Sequence, residues 1–262
     1  MTEASVRLKS KAAYWSRAIG RFSFFSFLLS IIIYFFELIH TQEFLLLILF
    51  VTVGAIFSFL LAIIGLISLW KDGRLAGIAS MIGLFYSFCI LTPIFVCGFL
   101  FYWYPPLYDI STDPIDPPFL EESYRPANAL KLERYLSAQK DIQEQTWPKL
   151  SSRSYADPPN VILPFVFDAL RKENWKIVRA PEKRGNDGAL YVEAVARSFL
   201  FSFPSDIIIR LKMRGARTIV DMRATSRYFS RDMGVNAAYI ESFMRKLDEA
   251  IVEANLGELH FK

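Results

Sequence analysis

A group of polar side chains late in the chain has the types and spacing for ligand chemistry: Glu193, Arg197, Arg210, Asp221, Arg223, Ser226, Arg227, Asp232 and Asn236. Guanidinium forks clamp carboxylate or phosphate through paired hydrogen bonds. Glu193 or Asp221 could do acid–base work, and a helix start near Asn236 is a natural place for an anion. The same residues also fit a plainer arrangement. Opposite charges facing each other across strands on a solvated face contribute about 0.2–1 kcal/mol each, and Asp232 and Asn236 can cap a helix. Spacing alone admits both a ligand site and an ion-paired surface.

Other chemistries find less support. The histidines are His40, at the end of an apolar run, and His260, next to the C-terminus. A Ser-His-Asp triad needs an imidazole positioned beside its serine, and a histidine zinc site needs clustered ligands. Cys89 and Cys97 both lie in an apolar run, so the polar part of the chain has no thiolate and no disulfide. Asp109, Asp113 and Asp116 could suit a hard cation. Asp ahead of Pro more often starts a turn, and no glycine or distal glutamate completes a calcium loop. Gly185-Asn186-Asp187-Gly188 reads as a turn rather than a phosphate cradle. No metal and no cofactor is expected. Phe199, Phe201 and Phe203 are expected in a core rather than at a bilayer surface.

The elements that must carry these residues follow from periodicity. From Trp175 onward the apolar pattern has period two. Strands are expected over 175–179, 190–198, 207–214 and 218–225, with a charged loop over 182–188. Glu193, Arg197, Arg210, Asp221 and Arg223 fall on the faces opposite Val192, Ile209 and Met222. A helix over 235–255 carries Ile240, Phe243, Met244, Leu247 and Ile251 at helical spacing. Two earlier helices are expected, over 127–145 and one ending at Lys172; Asp157 could cap the second ahead of Pro158 and Pro159, but Pro164 would then fall inside, and a start near Pro164 fits the preference of proline for a first turn better. Short turns between consecutive strands favour an antiparallel meander covered by helices, an α+β domain.

Ahead of that domain the chain changes character. Apolar runs over about 22–39, 44–70 and 75–103 are each long enough to cross a bilayer core of roughly 30 Å. They account for much of the 53% hydrophobic composition. The reading is a basic arm over 1–21, three spans, a Pro/Asp-rich linker over 104–126 and a soluble domain over 127–262. Basic residues flank cytoplasmic ends. They occur in the N-terminal arm and at Lys71 and Arg74, and are absent from the connection around His40. The N-terminus should therefore lie inside and the domain outside. The net charge of +4 is concentrated in the arm, where it suits anionic lipid rather than nucleic acid. The spans hold almost no ionisable residue, so they read as an anchor rather than a transport path. Their glycines form no regular stripe. Expected partners are the lipid bilayer and a membrane protein or, on the side where the domain lies, a periplasmic protein; nucleic acid is not expected.

Four stretches carry a resemblance: Val192-Glu193-Ala194-Val195-Ala196-Arg197-Ser198, Asp206-Ile207-Ile208-Ile209-Arg210, Val220-Asp221-Met222-Arg223-Ala224-Thr225-Ser226-Arg227 and Asp232-Met233-Gly234-Val235-Asn236. Taken together, the chain resembles the DUF1499 family, a family of unknown function. Departures are Phe229 where a glycine is usual, Ser205 where an acid is common, and Lys149 in place of an acid after Trp147-Pro148. Similar proteins of alphaproteobacteria join this domain to a membrane region. That resemblance implies a multi-pass inner-membrane protein with a periplasmic domain and supplies no reaction; the polar residues themselves lead to the expectation that the domain binds a polar envelope ligand or a partner protein without catalysis. The alternatives are an envelope-acting enzyme using Glu193 or Asp221, or an accessory subunit of a membrane complex.

Overall fold

The computed structural model describes residues 8–120, 125–131, 137–184 and 188–260. Contacts divide the chain into two compact units, Met1–Phe99 and Leu100–Lys262.

In the first unit, α1 (Lys11–Phe35), α2 (Thr41–Asp72) and α3 (Gly77–Trp103) are each long and apolar enough to cross a membrane. Helix α1 starts well ahead of its apolar run because Ser10 caps it, accepting from the Ala13 amide at 3.4 Å. The residues α1 buries are Ala13, Ser16, Gly20, Ser23, Phe27, Ser30 and Tyr34, spaced three and four apart. Those of α2 include Val51, Ala55, Ser58, Ala62 and Gly65, and those of α3 Ser80, Gly83, Ser87 and Ile90, at the same spacing. That is the 3.5-residue repeat of left-handed helix packing, with small residues letting backbones approach. The regular stripe missing from the glycines alone is therefore present once serine and alanine are counted. At its centre, Ser16 and Ser58 each donate to the other's carbonyl at 2.9 Å. Backbone bonds join the segment before α1 to the turn before α3, Ser10 to Leu75 at 3.3 Å and Leu75 to Leu8 at 3.0 Å. The basic residues at Lys9 and Arg74 thus lie at one end of the bundle.

The second unit holds, among the described residues, one antiparallel sheet. Strands β3 (Lys176–Arg184), β4 (Ala189–Arg197), β5 (Pro204–Arg214) and β6 (Arg217–Ser226) form the expected meander. Two short strands, β1 (Asp109–Ser111) and β2 (Arg153–Tyr155), lie end to end along the outer edge of β6. Helices α5 (Pro159–Lys172) and α6 (Val235–His260) cover one face, burying Ile162, Val166, Leu170, Ile240, Phe243 and Leu247 against Val192, Ile209, Leu211, Val220 and Met222. This alternation is the one read from the sequence.

Several expected boundaries move. Residues 127–131 form a turn, and helix α4 spans Ser137–Thr146, ending where Trp147-Pro148 stops it. The expected leucines at 132 and 136 lie outside the described residues, as do 185–187 of the glycine-bounded turn and 1–7 of the basic arm. Helix α5 starts at Pro159 and carries Pro164 inside. Pro159, with its missing N–H, takes the first turn, and burial of Ile162 and Val166 holds the helix through Pro164. Strand β3 runs on to Arg184 because pairing with β4 continues across two irregularities in register, taking in part of the expected charged loop. The stretch read as a linker supplies β1 and then a strap crossing the second face of the sheet. Gln143 closes the free edge of β1, its side chain accepting from the Ser111 amide at 3.1 Å and donating to the Ser111 carbonyl at 2.7 Å.

Candidate functional site

The face of the sheet away from the helices carries Glu193, Arg210, Asp221 and Arg223, as alternation requires. It is neither open nor solvated. Glu193 is fully buried, and Arg210, Asp221 and Arg223 are 3%, 2% and 6% exposed. The strap covers them, bringing carboxylates to the arginines.

Arg210 sits mid-strand opposite Asp221 in register. Its Nε and Nη2 both donate to Asp221 Oδ2, at 3.0 and 2.7 Å. Nη1 reaches Asp116 Oδ2 at 2.9 Å, and Nη2 also meets the Asp116 carbonyl at 2.9 Å and Asp113 Oδ2 at 3.3 Å. Burial pushes the Arg210 guanidinium down, but the hydrogen bond and charge of Asp221 and the charge of Asp116 outweigh it, leaving it raised. Ser152 donates to the other Asp221 oxygen at 2.5 Å. Both oxygens of Asp221 are thus engaged within the protein, which leaves it poorly placed as a general base.

The neighbouring pairs repeat the pattern. Arg223 clamps Asp109 two-pronged, Nε to Oδ1 at 2.9 Å and Nη2 to Oδ2 at 2.5 Å, and donates to the Pro118 carbonyl at 3.2 Å. Asp206 is fully buried between Arg125, at 2.8 Å, and Arg227, at 2.6 Å. Asp113 serves two ends at once: Oδ1 accepts from the amides of Ile115 and Asp116, forming the turn, while Oδ2 faces Arg210. Of the three aspartates read as turn formers, Asp113 makes a turn while Asp109 lies in strand β1, and all three face arginines. Glu193 is paired by register with Arg179 on β3 and Ile208 on β5. Arg197, half-buried at the end of β4, donates to the Ser202 carbonyl at 3.0 Å.

Ser226, Asp232 and Asn236 form a separate cluster at the start of α6. Asp232 accepts from the amides of Gly234 and Asn236, both at 2.9 Å, so the helix N-terminus that could hold an anion is filled by the chain's own carboxyl. Burial pushes that carboxyl up to about 6 against the pull of the backbone amides. Asn236 does not cap. It donates to the Tyr108 carbonyl at 2.8 Å and to Ser226 Oγ at 3.1 Å, tying α6 to β6 and to the chain entering the domain. Gly234 has φ +79 and packs against the Tyr104 ring, where a Cβ would come within 2.6 Å.

A family model described as a protein of unknown function, DUF1499, matches residues 109–247. The chain belongs to the DUF1499 family. No curated protein matches. The matched region begins at Asp109, the first acid of the strap, so the strap is part of the DUF1499 domain. The polar residues of the motifs now have physical roles: Asp206 to Arg227, Arg210 to Asp221, Arg223 to Asp109, Asn236 to Ser226, and Asp232 as helix cap. Sequence reasoning missed Asp206, Arg125 and Ser152 as members. A signal existed: Arg210, Arg223 and Arg227 outnumber Asp206 and Asp221 beside them, and the Asp-rich stretch over 109–116 could balance them.

Proposed function

We propose that this protein is a membrane-anchored accessory protein whose DUF1499 domain stands outside the cytoplasm and binds a partner protein without catalysis. The observation that carries the reading is the state of the polar face: its arginine forks are buried and already hold the chain's own carboxylates. A cleft for an anionic ligand needs those forks free, and an acid–base enzyme needs Asp221 or Glu193 open to substrate. A domain whose buried arginine forks are closed on its own carboxylates, carried on a three-helix tether, suits recognition through its outer surface. The basic residues at one end of the helices favour a cytoplasmic N-terminus. In a bacterial cell with an envelope of the alphaproteobacterial kind, the domain would then stand in the periplasm.

One cross-linking experiment addresses partner and side together. Intact cells carrying the full-length, tagged chain are treated with a membrane-impermeant amine cross-linker, and the tagged protein is purified and its adducts identified by mass spectrometry. The expected result is a defined protein adduct through lysines of the domain. A domain modified only by a permeant reagent would overturn the placement. Asp221→Asn that abolishes a cellular phenotype at unchanged thermal stability would overturn the non-catalytic reading.

A further inference from the structure

We propose that the β4–β5 hairpin tip, residues 198–203, is a second membrane contact that inserts Phe199 and Leu200 among the lipids of the bilayer crossed by the three helices. The inference requires only that those helices span a bilayer. It does not depend on which side the domain stands or on what it binds.

The tip is built to expose apolar side chains. Phe199 is fully exposed, at 103%, and Leu200 is 39% exposed. The expectation that Phe199 belongs to the core is thus corrected, while Phe201 is buried and Phe203 packs on Phe229 with ring centroids 4.7 Å apart. The loop is firmly held. The Ser198 amide donates to the Phe203 carbonyl at 2.9 Å and the Phe203 amide to Ser198 Oγ at 2.9 Å. Ser202 takes φ +57, and its amide closes onto the Ser198 carbonyl at 2.8 Å. Ordering a loop to present a phenylalanine to water has no folding benefit, since the ring gains nothing from burial there.

The end of the domain where the tip lies points to the occupant. Ser205 of β5 is level with Ser226 of β6, whose amide donates to the Tyr108 carbonyl at 2.9 Å. The Asp232 amide donates to the Leu107 carbonyl at 2.9 Å. The chain therefore enters the domain at the end of the sheet from which the hairpin projects. Tyr108 is five residues from Trp103, the last residue of α3, a reach of at most about 18 Å. The tip extends beyond Ser205 by up to about 15 Å at strand rise. A tether and a projection of similar length leave the same end of the domain, so the tip is within reach of the bilayer surface. Composition agrees. Residues 198–203 carry no charge, and the adjoining turn over 227–231 has no acid; its Arg227 is taken by Asp206, while Arg231 lies against the Phe101 and Tyr104 carbonyls near the end of α3. Aromatic and aliphatic side chains beside Arg231 suit an interface with anionic headgroups.

The test uses the full chain, with Cys89→Ser and Cys97→Ser, in lipid nanodiscs of mixed neutral and anionic lipid. A nitroxide is placed at Phe199→Cys or, as a control, at Ala216→Cys in the exposed turn at the opposite end of the sheet. Relaxation by oxygen, which partitions into lipid, is compared with relaxation by a water-soluble nickel complex. The expected result is dominance of oxygen at 199 and of the nickel complex at 216. Equal access of the nickel complex to both positions overturns the proposal. So does dipolar broadening at 199 that disappears on dilution with unlabelled chain, since that would place the tip against a second copy.

Discussion

At the scale of single residues, the polar side chains of this domain act on one another. An arginine buried without a carboxylate would carry a large desolvation penalty, and here each buried fork meets one: Arg210 with Asp221 and Asp116, Arg223 with Asp109, Arg125 and Arg227 with Asp206. Asp232 is different, because it faces backbone amides rather than a cation. Burial pushes its carboxyl up to about 6, above the ordinary aspartate value of 3.8. The folded state therefore holds this proton more tightly than the unfolded chain. Its contribution to stability is greatest below about pH 4 and is lost as pH rises through about 6. Such a rise corresponds to on the order of 3 kcal/mol. Other carboxylates titrate too, so the measurement is a difference: wild type minus Asp232→Asn, by chemical denaturation across pH 4 to 7. That difference should fall as pH rises through the window, and a flat difference would contradict the assignment.

At the scale of elements, small residues in the membrane helices and long-range pairs in the domain do the positioning. A Cβ on Gly83 would come within 1.9 Å of Ser16 Oγ and 3.1 Å of the Ser16 backbone. Gly83→Val should therefore force the helices apart and break the close approach around Ser58, whereas Gly98→Val, in open space, should be tolerated. Thermal unfolding in detergent should separate the two, with Gly83→Val lower by several degrees for each 1–2 kcal/mol lost. What the sequence disclosed at this scale follows from range. Strands β4 to β6 and helix α6 were legible because alternation and helical spacing are local. The start of α5 was misjudged because Pro164 carries a local helix-breaking signal that the burial of Ile162 and Val166 overrides. The helix seam needed serines counted with glycines. The strap was hidden for a stronger reason: Asp109 and Arg223 are 114 positions apart, and nothing in either neighbourhood names the other.

At the scale of the whole molecule, two units divide the work. Three apolar helices supply attachment to a membrane, and a DUF1499 domain carries a sheet covered on one face by helices and on the other by a charged strap. The candidate site residues were legible as a set, since alternation placed Arg210, Asp221 and Arg223 on one face. Their use was not legible, because the same charges could face water, a ligand or another part of the chain until the course of residues 109–120 was known. The central claim is that this network fastens the strap over the sheet rather than serving a ligand. Amide hydrogen exchange of the full chain, followed by mass spectrometry, tests it most directly with Arg223→Ala and the milder Arg223→Lys. Amides over 109–120 should exchange faster than in wild type, more so for alanine than for lysine, while those of 207–211 stay protected. Wild-type protection over 109–120 in both variants would contradict it.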